Sequence, residues 1–285
     1  MANILKGKPV SLLIDQKTKE IISGKQVTLA TIRVSDNKDD IAYENNIAKK
    51  AASFNINHKK IVLESNITKQ SYLDVLDECN NDDSIHGILL LNQPFEKESS
   101  TLINPNKDID SCNPINLSSS FLNTPGFGAC TARAVMEMLH YYNIQISSQN
   151  ICVVGRSKTV GKPLSMMLLN ENATVTICHS HTKNLQEICK NNDIIIACLG
   201  KAEYLTADFF SKGQTVIDVG INYSEVKQKI VGDVLFEEVS NIVDNISPVP
   251  FGVGSITTSI LFNHLALAFK RSKWWTQEKS HTYQC

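Results

Sequence analysis

Ile151-Cys152-Val153-Val154-Gly155-Arg156-Ser157-Lys158-Thr159-Val160-Gly161-Lys162-Pro163 is the stretch that decides how this chain folds. An unbroken apolar run leads into Gly155, which reads as a buried strand entering a glycine turn. A helix is expected to begin at the second glycine, Gly161. Strand, glycine turn and helix in that order mark the place where a doubly wound sheet holds a phosphate on a helix N-terminus. The spacing departs from G-x-G-x-x-G, because Ser157 stands where the middle glycine would be. A plain strand-to-helix turn would share the pattern.

Outward from this turn, strands and helices alternate. Thr28 to Arg33, Lys60 to Leu63 and Gly87 to Leu91 read as strands. Ala42 to Phe54 and Lys69 to Cys79 read as helices between them. Downstream, Ala132 to Tyr142, Gly161 to Glu171 and Thr257 to Arg271 read as helices. Asn150 to Val154, Thr174 to Cys178, Asp193 to Leu199 and Thr215 to Val219 read as strands. Such alternation implies parallel sheets with crossover helices. Asn92 to Gly128, rich in Pro, Asn, Asp and Ser, reads as a loop that is either a domain boundary or a site region. The expectation is an α/β protein of two lobes.

Composition excludes several classes. The chain has 285 residues, 42% hydrophobic and 20% charged, with 28 basic residues against 29 acidic ones. That balance fits a globular chain and no dedicated nucleic-acid binder. The longest apolar runs, such as Ile194 to Leu199, are too short for a membrane span, and Met1 to Lys8 lacks the pattern of a secretory signal. Eight cysteines form no C-x-x-C pair, and several lie in apolar strand-like segments. Buried free thiols in a reducing, cytoplasmic compartment are the expectation. No histidine and cysteine group has the spacing of a structural zinc site, so no metal is expected.

Charge argues for one dinucleotide over another. An NAD site carries an acidic residue at the end of the second strand, about 20 residues on from the turn. Here that strand ends in His179-Ser180-His181-Thr182, with no carboxylate, and Arg156 lies beside the first turn. A cation and hydroxyls suit a 2′-phosphate, so NADP is favoured; for Arg156 the alternative is a solvated loop cation. Val216-Ile217-Asp218-Val219-Gly220-Ile221-Asn222 and Pro248-Val249-Pro250-Phe251-Gly252-Val253-Gly254 read as further site loops or as simple turns.

These pieces, taken in order, carry a resemblance. Ile4-Leu5-Lys6-Gly7-Lys8, Tyr43, Lys107-Asp108-Ile109-Asp110, Cys130-Thr131, the Gly155 to Pro163 turn and His179 to Thr182 stand in sequence. VIDVGIN at 216–222, Val231-Gly232-Asp233-Val234 and Pro248-Val249-Pro250 follow. Over nearly its whole length the chain resembles the bifunctional methylenetetrahydrofolate dehydrogenase/methenyltetrahydrofolate cyclohydrolase family. The resemblance implies a folate-binding catalytic domain over 1–120, joined by a C-terminal helix at 262–285, and a Rossmann-like NADP-binding domain over 121–261. It implies NADP-dependent oxidation of 5,10-methylenetetrahydrofolate in a homodimer. Tyr43 would stack near the folate and Asp110 would reach the pterin. Pro250, Gly254 and Thr257 would contact substrate. Gly155, Arg156, Ser157, Ser180, Thr182 and Ile221 would hold the cofactor.

The chain also departs from that family. The family has a lysine four residues after the tyrosine, and here the position is Ile47. That lysine moves the proton when the methenyl cation is hydrolysed, and isoleucine cannot do so. Lys50 is a candidate substitute. It lies about 700° around the helix from Tyr43, close to alignment, and about 4.5 Å further along the axis than position 47. The family's supporting glutamine falls on Leu91 without a gap, or on Gln93 with a two-residue shift. Phe251 replaces a glycine, Ser255-Ile256 replace Pro-Met, and Ala132 replaces a proline. Three outcomes stay open: a dehydrogenase without the hydrolase, a bifunctional enzyme rescued by Lys50 or another group, and a non-catalytic folate or nucleotide binder. A different Rossmann oxidoreductase would need a substrate-binding cation or catalytic histidine in the first lobe, and none stands out.

Overall fold

The computed structural model describes residues 1–281. The last four residues of the helix expected at 262–285 therefore lie outside the described residues. In chain order the elements are β1 (Asn3–Ile4), α1 (Gly7–Ile22), β2 (Thr28–Val34), α2 (Lys38–Ser53), β3 (Asn57–Leu63), α3 (Lys69–Asn81) and β4 (Gly87–Leu91). There follow α4 (Glu96–Leu102), α5 (Pro114–Leu122), α6 (Cys130–Tyr141), β5 (Asn150–Val154), α7 (Gly161–Asn170), β6 (Thr174–Cys178), α8 (Leu185–Lys190) and β7 (Ile194–Ala197). The chain closes with β8 (Thr215–Asp218), β9 (Asn222–Ser224), β10 (Lys229–Val231), α9 (Phe236–Val239), β11 (Asn245–Ile246) and α10 (Val253–His281).

Two compact units emerge. One comprises Met1–Leu13 and Ser119–Ile260; the other comprises Ile14–Ser118 and the residues from Leu261 onward. The first thirteen residues, expected with the N-terminal lobe, fall instead in the unit that holds the glycine turn. The reason is β1, which pairs in parallel with β11 through Asn3–Asn245 and Ile4–Ile246.

That unit holds a six-stranded parallel sheet in the order β1-β11-β8-β7-β5-β6. Every residue of β7 and β8 is buried, as expected for strands covered on both faces. Cys152, Val154, Ile195, Ala197 and Val216 lead one core cluster of this sheet. The chain passes from β5 out to the edge strand β6, then returns to β7 on the other side of β5. The strand order therefore reverses beside β5, and ligand crevices in open sheets form outside the carboxyl ends at such a reversal.

The second unit carries the parallel sheet β3-β2-β4. Ala30, Ile32, Tyr72, Leu76, Ile88 and Leu90 pack in its core. On α2, Glu44, Ile47 and Ala51 form the buried stripe. Glu44 is held by Thr31 Oγ1, which donates to it at 2.7 Å, and by Arg33 Nε at 3.3 Å.

Several elements depart from the sequence expectation, the longest of them helical. Helix α1 buries Val10, Ile14, Thr18 and Ile22 at four-residue spacing, a stripe diluted by exposed Leu12 and Leu13. The stretch 92–128, expected as loop, contains α4 and α5. Their Ser and Asn content masks the helical pattern, yet Asn113 Oδ1 accepts from the Ile115 N–H at 2.8 Å just ahead of Pro114. Asn before Pro is a helix-start signal. Helix α10 begins at Val253 rather than Thr257 and extends beyond Arg271. Among the described residues no helix is long and apolar enough to cross a membrane.

Asp108 organises the segment that carries Asp110. Asp108 is wholly buried and accepts hydrogen bonds from Cys112 N–H (3.1 Å), Asn113 N–H (2.8 Å) and Asn116 Nδ2 (2.9 Å). Asp108→Ala should lower stability in urea unfolding by about 3 kcal/mol, because those donors would be left buried without an acceptor. A loss under about 1 kcal/mol would show that the segment does not depend on it.

Candidate functional site

The turn after β5 is built for close approach. Gly155 has φ +146°, and a Cβ there would lie 2.3 Å from the Cys198 carbonyl oxygen. At Gly161 a Cβ would lie 2.2 Å from the Gly155 carbonyl oxygen. Both positions therefore require glycine. Ser157, in the place of the usual middle glycine, caps the helix. Its Oγ accepts from Val160 N–H at 3.1 Å and from Gly161 N–H at 3.3 Å. The N-terminus of the 10-residue helix α7 thus faces the turn with its positive dipole end.

A cavity of about 320 Å³ opens at the carboxyl ends of β5, β6 and β7. Gly155, Arg156, Ser157, Ser180 and Thr182 all line it, so five of the six expected cofactor residues come together. Ile221 does not line it. It is 66% exposed, with Cδ1 3.4 Å from where a Cβ of Gly254 would stand. Arg156 and Lys201 bring positive charge to the cavity, and no Asp or Glu lines it. Lys201 Nζ lies 5.1 Å from the Tyr204 ring centroid. His179, Leu199, Lys201 and Tyr204 were missed in advance. The signal for three of them was available: Leu199-Gly200-Lys201 follows the strand beside β5, and Tyr204 lies three residues on.

Two buried carboxylates hold the loops around this cavity. Asp233 Oδ2 accepts from Leu199 N–H (2.6 Å) and Gly200 N–H (3.1 Å). Its Oδ1 accepts from Lys201 N–H (2.8 Å) and Asn222 Nδ2 (2.9 Å). Asp218 Oδ1 accepts from Gly220 N–H (3.0 Å) and Asp233 N–H (3.0 Å), and its Oδ2 from Val234 N–H (2.9 Å). Burial raises the Asp218 carboxyl to about 7, against the pull of those N–H donors. The glycines of VIDVGIN and VGDV make room for the pair. A Cβ at Gly220 would meet Asp233 Oδ1 at 2.2 Å, and one at Gly232 would meet Asp218 Oδ2 at 1.9 Å.

The expected folate residues divide between the units. Tyr43, Ile47, Lys50 and Asp110 belong to one; Pro250, Gly254 and Thr257 belong to the other. Tyr43 is 38% exposed, while Ile47, one turn on, is fully buried. Lys50 Nζ is paired with Asp15 and lies 5.2 Å from the Phe54 ring centroid. Asp110 is exposed. Leu91 ends β4 opposite Arg33, and Gln93 Oε1 accepts from Ser99 Oγ at 3.2 Å. Phe251 has φ +80° and is 75% exposed. That left-handed backbone favours the glycine it replaces. The Val249-Pro250 peptide is cis. Cys79, Cys112, Cys130, Cys152, Cys178, Cys189 and Cys198 are free thiols; Cys285 lies outside the described residues. Among the described residues no group of three or more His, Cys, Asp or Glu could hold a metal ion.

Residues 5–110 match the family model for the catalytic domain of tetrahydrofolate dehydrogenase/cyclohydrolase. Residues 129–273 match the model for its NAD(P)-binding domain. The chain is 43% identical to bifunctional protein FolD 1 of Desulfitobacterium hafniense over 280 residues, covering 95% of this chain and 99% of that one. The crystal structure of the bifunctional FolD methylenetetrahydrofolate dehydrogenase/cyclohydrolase of Campylobacter jejuni superposes with a TM-score of 0.91 at 35% identity, covering 95% of this chain and 99% of that one. The Trypanosoma brucei enzyme, solved with NADP cofactor and inhibitor, superposes with a TM-score of 0.88 at 29% identity, covering 95% and 98%.

Asp233→Asn offers one acceptor oxygen where two are used. It should cost about 2–3 kcal/mol in denaturant unfolding and weaken dinucleotide binding, since Leu199 and Lys201 line the cavity. Unchanged stability together with unchanged binding would refute the role assigned to Asp233.

Proposed function

The chain belongs to the tetrahydrofolate dehydrogenase/cyclohydrolase family, and we propose on that premise that it oxidises 5,10-methylenetetrahydrofolate to 5,10-methenyltetrahydrofolate with NADP in one-carbon metabolism. The observation that carries the cofactor choice is the cavity at the end of β5, with two cations, two further hydroxyl side chains from the loop after β6, and no carboxylate. A ribose diol would call for an acid there, whereas a 2′-phosphate suits Arg156, Ser180 and Thr182. Gly155 and Gly161 let the turn pack tightly against Cys198 and against itself, and the pyrophosphate is assigned to the α7 N-terminus beside it. Ile221, beside Gly254, is assigned to the nicotinamide end. When bound, NADP supplies the hydride acceptor.

Tyr43 is assigned to orienting the folate and Asp110 to anchoring its pterin; Pro250, Gly254 and Thr257 are assigned to substrate as well. Hydride transfer yields a resonance-stabilised cation and needs no protein acid or base at the reacting carbon. Hydrolysis of that cation does need one. Ile47 supplies none, and Lys50 is engaged by Asp15 and Phe54. The reading supported best is a dehydrogenase whose cyclohydrolase activity is lost or strongly weakened. The buried free thiols suit a cytoplasmic, reducing compartment. The edge strand β6, with Ile177 exposed, supports assembly as a homodimer. Light scattering should then give twice the 31.6 kDa chain mass, and a single chain mass would reject the dimer.

With methylenetetrahydrofolate as substrate, kcat/KM should favour NADP over NAD, and Arg156→Ala should reduce that preference about tenfold or more. An unchanged preference rejects the Arg156 assignment. Ile47→Lys should raise methenyltetrahydrofolate hydrolysis at least about tenfold above the starting protein, in the range a positioned acid–base contributes. A starting protein that already hydrolyses the compound rapidly would overturn the Ile47 reading.

A further inference from the structure

His179 follows the last residue of β6 and lines the cation-bearing cavity beside Arg156 and Lys201. Its loop is tightly closed. The His179 N–H donates to Thr182 Oγ1 at 2.8 Å, and the Thr182 N–H donates to the His179 carbonyl at 2.9 Å. The ring is held as well, because the backbone N–H of His181 donates to His179 Nδ1 at 3.1 Å. A backbone N–H can only donate, so Nδ1 must be the bare nitrogen. The neutral ring proton therefore sits on Nε2. Nε2 has no hydrogen-bond partner among the described residues.

We propose that His179 is a specificity residue for the cofactor: its Nε2–H, fixed as a neutral donor by His181, hydrogen-bonds the 2′-phosphate alongside Arg156. The proposal rests on the NADP reading above and adds His179 to the residues assigned there to the 2′-phosphate.

The surroundings favour a neutral donor over a titrating cation. Arg156 from the turn after β5 and Lys201 from the loop after β7 line the cavity together with the ring, His181 stands beside it in its own loop, and no carboxylate lines the cavity. Partial burial, then Arg156 and His181, hold the imidazole below its ordinary value. Protonating Nδ1 would also forfeit the bond from His181. The ring thus donates without carrying charge. A phosphate dianion takes one charged partner in Arg156 and one neutral, directional partner in His179.

Two substitutions separate the donor from the loop support. His179→Asn keeps an oxygen to accept from the His181 N–H but offers no donor where Nε2 stood. His179→Phe loses both. Kd values for NADP and NAD, measured by titration of intrinsic fluorescence at pH 7.5, should show the NADP-over-NAD preference falling about tenfold in both variants, with NAD affinity within about twofold of the starting protein. The ring ¹⁵N signals of His179 should show a protonated Nε2 and a bare Nδ1, and the Nε2 signal should move with 2′,5′-ADP but not with 5′-AMP. Retention of the full preference by His179→Asn would show that the ring only holds the loop, and would overturn the proposal. A preference in the starting protein that falls between pH 7 and 8.5, and does not fall in His179→Asn, would make the ring a titrating cation and overturn it too. A starting protein with no preference for NADP at any pH would overturn the cofactor reading and this proposal together.

Discussion

The cofactor unit depends on one arrangement above the rest: two carboxylates, Asp218 and Asp233, buried together and accepting from six backbone N–H groups. Like charges so close in a buried place are costly unless each lone pair is used. Here the donors come from the loop after β7, the turn after β8 and the strand-like stretch at 231–234. Backbone pairing at these points is sparse, a single parallel bridge between Leu205 and Val234 beside the end of β10. The carboxylates add to it and fix Leu199, Gly200 and Lys201 at the mouth of the cavity. Gly220 and Gly232 are the steric condition for the arrangement, since any side chain there would occupy a carboxylate position.

From that constraint the site follows in order. The reversal of strand order beside β5 opens a crevice at the carboxyl ends of three strands. Gly155 and Gly161 let the turn fold tightly beside it, and Ser157 Oγ accepts from the N–H groups of Val160 and Gly161 where α7 begins. The charges are then set by the loops: Arg156 after β5, His179 after β6, Lys201 after β7. The other unit contributes a different chemistry. On α2 an exposed tyrosine stands one turn from a fully buried isoleucine, and the nearest lysine is already paired. The same helix thus suits binding of an aromatic substrate better than movement of a proton.

How much of this was legible in the sequence depended on range. The central strands were plain, because Val153, Val154 and Ile194 to Ile196 are apolar without interruption and buried on both faces. The glycine turn was plain because steric need at Gly155 and Gly161 is local. Five residues that line the cavity were legible for the same reason. The placement of β1 was not, because its pairing with β11 joins residues more than two hundred positions apart and rests on two residues. Helices α4 and α5 were hidden by polar residues, mostly serines, that dilute their apolar pattern. Lys201 follows the strand beside β5 and His179 follows β6, but only the strand order brings them beside Arg156. The buried Asp218 and Asp233 were visible as motif letters, but their joint role is a tertiary fact.

The most direct test of the account follows two signals in one mixture of the protein, methylenetetrahydrofolate and NADP: NADPH formation and the methenyl compound. A dehydrogenase without an acid–base at position 47 should produce NADPH while the methenyl compound accumulates and decays at its uncatalysed rate. NADPH formation with rapid clearance of the methenyl compound would contradict the reading of Ile47, and the absence of both signals would contradict the reading of the protein as a dehydrogenase.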